Sequence, residues 1–535
     1  MHEHVKTAEN TRRMIAVGVL ASVVLALSIG LLWRSRLSGK MSAKAGSTQS
    51  ELLQHTNMAE SSPPHSGVNG LLAESYTVAT IPSGWSEKAG LLAPVPAEAL
   101  PPSVNAVRLV SGFEGSVTLD ARNVDDTHIV IRFPSAATIW YLFKLENLRG
   151  RKVRIDFQNV RADRWLCNRP MFFDATTDLS GSVQDVNGKV EEWTQVSKVW
   201  GALDAVSFEQ TFPSDSVYVA TRVPYTPSYN ESYLSQVPKI EGISVEDIGR
   251  SLCGRSLKAV VFSGPGDASK TRPCIIAYAR EHANEPDSSW AVQGMIEFLR
   301  SDTAVEAKRI RDSFTVILIP LLDPDGAAVG AYDRITDFFA RDKATVEAKA
   351  YARWFQDWVN QGNRLDVVMD IHNPALGPYL NLNFPQLDSR QPYTKFAAEA
   401  NSEIMSEVQR AGFTARTDAW AKGELPQRLC GWLSNSFGPA VIPYEVNSQG
   451  LGHFLRVAEV KGLGEQMLIG CANFLATQQG TELLRLVDTC QNRRSSAKTK
   501  WAALMDIKDD VFTSEARIRW YSTGEGEIIP PPVRR

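Results

Sequence analysis

The chain has 535 residues, more than one hydrophobic core usually organises, so two folded domains joined by unstructured segments are expected. Lys and Arg number 57 against 60 Asp and Glu, and the resulting net charge of -3 gives no global electrostatic basis for binding nucleic acid. The six cysteines, at 167, 253, 274, 430, 471 and 490, show no Cys-x-x-Cys pair, so neither a disulfide scaffold nor a thiolate zinc cluster is indicated. Most are expected as buried thiols, with one bridge left open.

After a short leader at 1–13, residues 14–33 (MIAVGVLASVVLALSIGLLW) are uncharged over a length of helix of about 30 Å, the thickness of a hydrocarbon core. They are expected as a single-pass transmembrane anchor. Arg12 and Arg13 precede the segment and Arg34, Arg36, Lys40 and Lys44 come after it, a near balance of flanking charge. An N-terminal apolar segment with a short basic leader commonly exports the domains on its C-terminal side, so the catalytic domain is expected to be extracytoplasmic. Residues 34–103, rich in Ser, Ala, Pro and Gly, are expected as a flexible spacer.

From 104 to 250 short alternating runs dominate, such as Ser116–Leu119, Ile129–Phe133 and KVRIDFQNV, separated by Gly, Asn and Asp. This pattern predicts an antiparallel β-sandwich. From 251 to 480 apolar strands (LKAVVFSG, PCIIAYA, FTVILIP, LDVVMDI, AVIPYEV) alternate with helical stretches at Trp290–Arg300, Thr345–Val359 and Lys395–Gln409, and a last helix spans about Val457–Gln478. Such alternation predicts an α/β domain whose parallel or mixed sheet is covered by helices. Residues 481–535 read as a C-terminal tail.

Of eight histidines, His2, His4, His55 and His65 fall in the leader or spacer and His128 in the sandwich, leaving His282, His372 and His453 in the α/β domain. His282 and Glu285 stand three apart between the strand PCIIAYA and a helix. An imidazole and a carboxylate at that spacing on a strand-to-helix turn can converge on one ion, and catalytic zinc takes three protein ligands and keeps an open position. His372 closes the strand LDVVMDI at the carboxyl edge, where open α/β sheets place their ligands. Asp370 is spaced to hydrogen-bond a ligand ring, and Glu445 ends another such strand. His453, lacking a nearby carboxylate, reads as structural, and Asp325 in Leu322-Asp323-Pro324-Asp325-Gly326 as part of a turn.

The succession of His-x-x-Glu, Pro-Asp-Gly, Asp-x-His and a strand-borne Glu resembles the zinc carboxypeptidases. The likeness spans about 107 to 480 and is closer to the cytosolic carboxypeptidase branch, which carries a β-sandwich before the catalytic domain. Two stretches support that branch: Trp140-Tyr141-Leu142-Phe143 leading to Phe157-Gln158-Asn159-Val160, and Val217-Tyr218-Val219-Ala220 leading to Pro224-Tyr225-Thr226. The resemblance implies a mixed eight-stranded sheet with helices on both faces. It also implies one Zn2+ per chain held by His282, Glu285 and His372, and Glu445 as general base. Family members usually show Asn-Pro-Asp-Gly, a nearby Arg and then Asp-x-Asn-Arg; here Asp323 replaces the first Asn and Ala340 the second. On that likeness Arg334 is the electrophilic helper and Arg341 the clamp for a terminal carboxylate.

The implied function is zinc-dependent hydrolysis of the C-terminal amide bond of peptides or proteins, with a proton passing through Glu445 to the leaving amine. Two alternatives stay open: a zinc-dependent deacylase or amidase acting on small N-acyl amino acids, and an inactive membrane-tethered binding module. Whether Arg341 matters separates the first alternative from the peptidase.

Overall fold

The computed structural model of the chain describes residues 103–494 apart from internal stretches, the longest being 176–189, 331–344, 385–393 and 420–427. Ten short strands come first: β1 (Arg108–Val110), β2 (Asp120–Asp125), β3 (His128–Arg132), β4 (Leu142–Glu146), β5 (Lys152–Gln158), β6 (Met171–Asp174), β7 (Thr194–Gln195), β8 (Val199–Ala202), β9 (Ala205–Thr211) and β10 (Val217–Ala220). They form two five-stranded sheets of order β1-β4-β10-β6-β7 and β2-β3-β5-β9-β8. Alternation explains their stacking. Ile129, Ile131, Ile155, Phe157 and Phe208 of one sheet meet Phe143, Leu145, Val217 and Val219 of the other in a single apolar core. Ser116–Leu119, expected as a strand, is irregular chain after a turn at 113–115: Ser116 Oγ accepts from the Gly112 and Phe113 amides at 2.9 and 3.0 Å, and the strand starts at Asp120.

All four residues of β10 are buried, because its other face, with Tyr218 and Ala220, joins Leu142, Met171 and Phe173 in a core shared with Trp290 and Val292 of the next domain. One sheet of the sandwich is therefore covered on both sides. At the far sheet His128 Nε2 lies 2.7 Å from Asp156 Oδ2, and Arg154 Nε donates to Asp156 Oδ1 at 3.0 Å. Burial alone would raise the Asp156 carboxyl, but these two partners outweigh it and hold the group below its ordinary value.

Eight further strands build a third sheet: β11 (Ile243–Arg250), β12 (Ser256–Phe262), β13 (Cys274–Ala279), β14 (Thr315–Ile319), β15 (Val367–His372), β16 (Leu380–Phe384), β17 (Ala415–Ala419) and β18 (Ala440–Val446). Their order is β11-β12-β14-β13-β15-β18-β16-β17. The central strands β14, β13, β15 and β18 run parallel, and antiparallel pairs β11-β12, β12-β14 and β16-β18 make the sheet mixed. β11 joins this sheet, so the sheet starts before the division expected at residue 250. Period-two alternation then assigns the faces. Ile275, Ala277 and Ala279 pack beneath the helices Pro286–Leu299, Thr394–Arg410 and Val457–Leu475; Ile276 and Tyr278 pack beneath Val346–Asn360 and Leu429–Ser436.

The helices Pro286–Leu299 and Val457–Leu475 touch backbone to backbone. A Cβ on Gly294 would stand 2.1 Å from Lys461 O, and one on Gly464 2.0 Å from Ala291 O, so only glycine admits this approach. The stretch from 481, expected to begin a tail, opens within a helix, Gln478–Arg494, because Leu483 and Val487 one turn apart are buried in the same core. Cys274, Cys430 and Cys471 are buried free thiols, and Cys253 is exposed.

Candidate metal centre

β13 ends at Ala279, and Arg280 then adopts the left-handed conformation with φ of 66°, a cost of about 1–2 kcal/mol for a residue with a Cβ. Its side chain, 3% exposed, holds the turn: Nε donates to Ala283 O at 2.7 Å and Nη1 to Tyr225 O of the sandwich side at 3.1 Å. The reversal carries His282 off the strand end and sets Glu285 at the N-cap of the helix that Pro286 opens. His372 is the last residue of β15, and its register partner in the parallel neighbour β18 is Glu445. Thus three strand ends bring the four candidate side chains His282, Glu285, His372 and Glu445 to one edge of the sheet.

Glu285 lies between the two imidazoles. Its Oε1 is 2.9 Å from His282 Nδ1 and its Oε2 3.0 Å from His372 Nδ1, and the ring centroids are 4.6 Å apart. Ligand atoms of His282, Glu285 and His372 fall within 4.8 Å of one another, a set of two nitrogens and a carboxylate that suits zinc. Burial acts against the Glu285 charge, yet the facing imidazoles outweigh it and keep the carboxyl far below its ordinary value.

A second group, Glu281, Asp370 and His372, satisfies the same distance. Its carboxylates are occupied by donors: Glu281 accepts from the Leu429 amide at 2.8 Å and from Tyr278 Oη at 3.4 Å, and Asp370 Oδ2 accepts from Cys430 Sγ at 3.3 Å. Asp370 Oδ1 stands 2.8 Å from His372 Nε2. This cluster therefore orients the ring of His372 with Nδ1 toward Glu285 and is a support rather than a rival ion site. Burial, and then the charge of Asp370, pushes the Glu281 carboxyl up to about 7. Burial and the charge of Glu285 push Glu445 up to about 7 as well, against the opposing pull of His372, His282 and Arg428.

Arg428, which sequence reasoning missed, lies just before the helix Leu429–Ser436; its Nη1 is 3.3 Å from His372 Nε2, and Asp370, Glu281 and Glu445 offset its charge. A lone arginine in a loop has no spacing that would have marked it. The Pro-Asp-Gly segment forms a short helix, Pro324–Ala328, capped by Asp323, whose side chain accepts from the Gly326 amide at 2.9 Å. Asp325 points away from the centre and is fully satisfied by Ser251 Oγ at 2.7 Å, the Cys253 amide at 2.8 Å and Arg255 Nη1 at 2.9 Å. Arg334, Arg341 and His453 lie outside the described residues.

A mixed eight-stranded sheet, helices on both faces and a two-histidine, one-carboxylate donor set at the carboxyl ends of parallel strands define a metallohydrolase-type α/β domain. Residues 232–411 match the family model for zinc carboxypeptidases. Cytosolic carboxypeptidase 2 of Danio rerio is 28% identical over 211 residues, 36% of this chain and 29% of that protein. Cytosolic carboxypeptidase 3 of Mus musculus is 25% identical over 214 residues, 37% of this chain and 21% of that protein. The chain thus spans less than a third of the length of these curated relatives. A metallo-carboxypeptidase from Burkholderia cenocepacia shares the fold with a TM-score of 0.58 at 18% identity, covering 69% of this chain and 99% of its own. One from Pseudomonas aeruginosa does so with a TM-score of 0.56 at 18% identity, covering 69% and 99%.

The expected membrane location, with an extracytoplasmic catalytic domain tethered through a helix, is corrected by these findings. The matched relatives are named cytosolic carboxypeptidases, and no helix among the described residues is long and apolar enough to cross a membrane. Residues 14–33, on which the expectation rested, lie outside the described residues.

Proposed function

We propose that this chain is a zinc-dependent metallocarboxypeptidase that hydrolyses the C-terminal amide bond of peptides or proteins. The observation carrying the reading is the placement of Glu285 between His282 and His372, with Glu445 in register beside His372. Zinc held by the first three residues supplies Lewis acidity toward a carbonyl and lowers the pKa of a bound water.

Glu445 is the general base in this reading. Its Oε2 is buried and has no hydrogen-bond partner among the described residues, which leaves that oxygen open to receive a proton and return it to the leaving amine. A carboxyl held near neutrality is suited to both halves of that exchange. Asp370 Oδ1, 2.8 Å from His372 Nε2, pairs with that side of the ring and leaves Nδ1 facing Glu285. Arg334 is assigned to stabilising the developing oxyanion and Arg341 to binding the terminal carboxylate, on the family likeness.

The test pairs metal analysis of the purified chain with release of free amino acids from peptides of varied C-terminus. One zinc per chain with amino acid release supports the reading. Zinc without release moves the assignment to a small-amide hydrolase, and the absence of both removes the site as drawn.

A further inference from the structure

Arg222 lies two residues beyond β10 and is 1% exposed, although it carries a charge and belongs to the sandwich half of the molecule. Its guanidinium reaches three segments of the α/β domain. Nε donates to Asp287 Oδ2 at 2.9 Å; Nη2 donates to Pro374 O at 2.8 Å and to Asn447 Oδ1 at 3.1 Å. Each contacted residue lies two positions beyond a residue of the candidate centre: Asp287 beyond Glu285, Pro374 beyond His372, Asn447 beyond Glu445. A further contact, to Asn168 Oδ1 at 3.3 Å, ties the same group back to the sandwich.

The acceptors are themselves interlocked. Asp287 Oδ2 accepts from the Ser448 amide at 2.7 Å, the Asp287 amide donates to Asn373 Oδ1 at 3.3 Å, and Asn447 Oδ1 accepts from the Gln449 amide at 3.1 Å. Neighbours of Arg222 repeat the pattern, since Gln449 Nε2 donates to Thr221 O, Trp290 Nε1 to Val223 O at 3.1 Å and Arg280 Nη1 to Tyr225 O. The planar guanidinium fixes several donor directions at once, which one ammonium cannot do.

We propose that Arg222 is a positioning residue, a sandwich arginine that sets the relative placement of Glu285, His372 and Glu445 and makes the sandwich part of the catalytic apparatus. The proposal rests on the zinc carboxypeptidase reading. The test compares the full chain with Arg222→Lys and Arg222→Gln, measuring zinc retention against a chelator, kcat and KM on a peptide substrate, and the thermal midpoint. Arg222→Lys keeps a charge for Asp287 and is expected to fold, with kcat reduced roughly 10- to 100-fold, little change in KM and faster zinc loss. Arg222→Gln is expected to lose more of both, so that the conservative variant gives a partial rescue.

Folded variants with the kcat and zinc retention of the parent chain would overturn the proposal, and failure of both variants to fold would reassign Arg222 to folding and reject the positioning role. A parent chain that neither binds zinc nor releases amino acids sinks the underlying functional reading, and the proposal with it, on the parent measurements alone.

Discussion

Glu445 stands beside His372 across the parallel pair β15–β18, residue for residue in the ladder, so one backbone register places a metal-ligand candidate and a proton-transfer candidate side by side. Glu445 is not among the three candidate ligands His282, Glu285 and His372, so replacing it tests the base without touching the proposed metal set. Glu445→Gln is expected to retain zinc at the parent stoichiometry and to lower kcat by roughly 10²–10⁴-fold. Metal analysis together with single-turnover amino acid release checks this, and an undiminished rate would refute the base assignment.

The two positions on β15 should separate binding from tuning. His372→Ala removes a ligand and is expected to abolish stoichiometric zinc, whereas Asp370→Asn removes the acceptor at 2.8 Å from Nε2 and is expected to weaken zinc binding roughly 10- to 100-fold while leaving a site. Competition with a chromogenic chelator distinguishes the two; identical affinities in both variants would contradict the division of labour.

Asp325 is expected to act on stability alone. Its carboxylate is fully buried and takes three donors from the segment Ser251–Arg255, so Asp325→Ala leaves those donors unpaired at a cost of about 3 kcal/mol. Denaturant titration reads the loss. Zinc affinity should be unchanged, and a large drop in it would show that Asp325 serves the centre after all.

Acid sensitivity is expected in the sandwich. The Asp156 carboxyl is held below its ordinary value by His128 and Arg154 despite burial, so its stabilising contribution is present above the unfolded value of about 3.9 and disappears as pH falls through the lower folded value. The thermal midpoint of the parent chain should exceed that of Asp156→Asn at pH 6, with the gap closing toward pH 3. A gap that stays constant over this range would rule out the ionised carboxylate as its source.

Much of this arrangement is legible in the chain itself. Strands buried on both faces, such as Cys274–Ala279 and Thr315–Ile319, are continuous apolar runs, and His282, His372 and Glu445 fall where such runs stop. β16 and β17 escape the same reading: LNLNF alternates with asparagine and ARTDA has three polar residues in five, so neither resembles a core strand. The helix Gln478–Arg494 escapes because its sequence is mostly polar and charged. Arg222 and Arg428 are invisible for a different reason. Each is a single arginine whose partners come from distant parts of the chain, and no local pattern encodes such a meeting.

The backbone contact at Gly294 and Gly464 gives the centre a lever. Glu285 sits at the tip of a rod about 20 Å long, and the fulcrum of that rod is the point where two missing methyl groups let Pro286–Leu299 and Val457–Leu475 touch. A single carbon added at either glycine would collide with the facing backbone, so the two helices would have to separate there. The seat of the helix that begins beside Glu285 is thus fixed deep within the helical layer, by two residues that own no side chain.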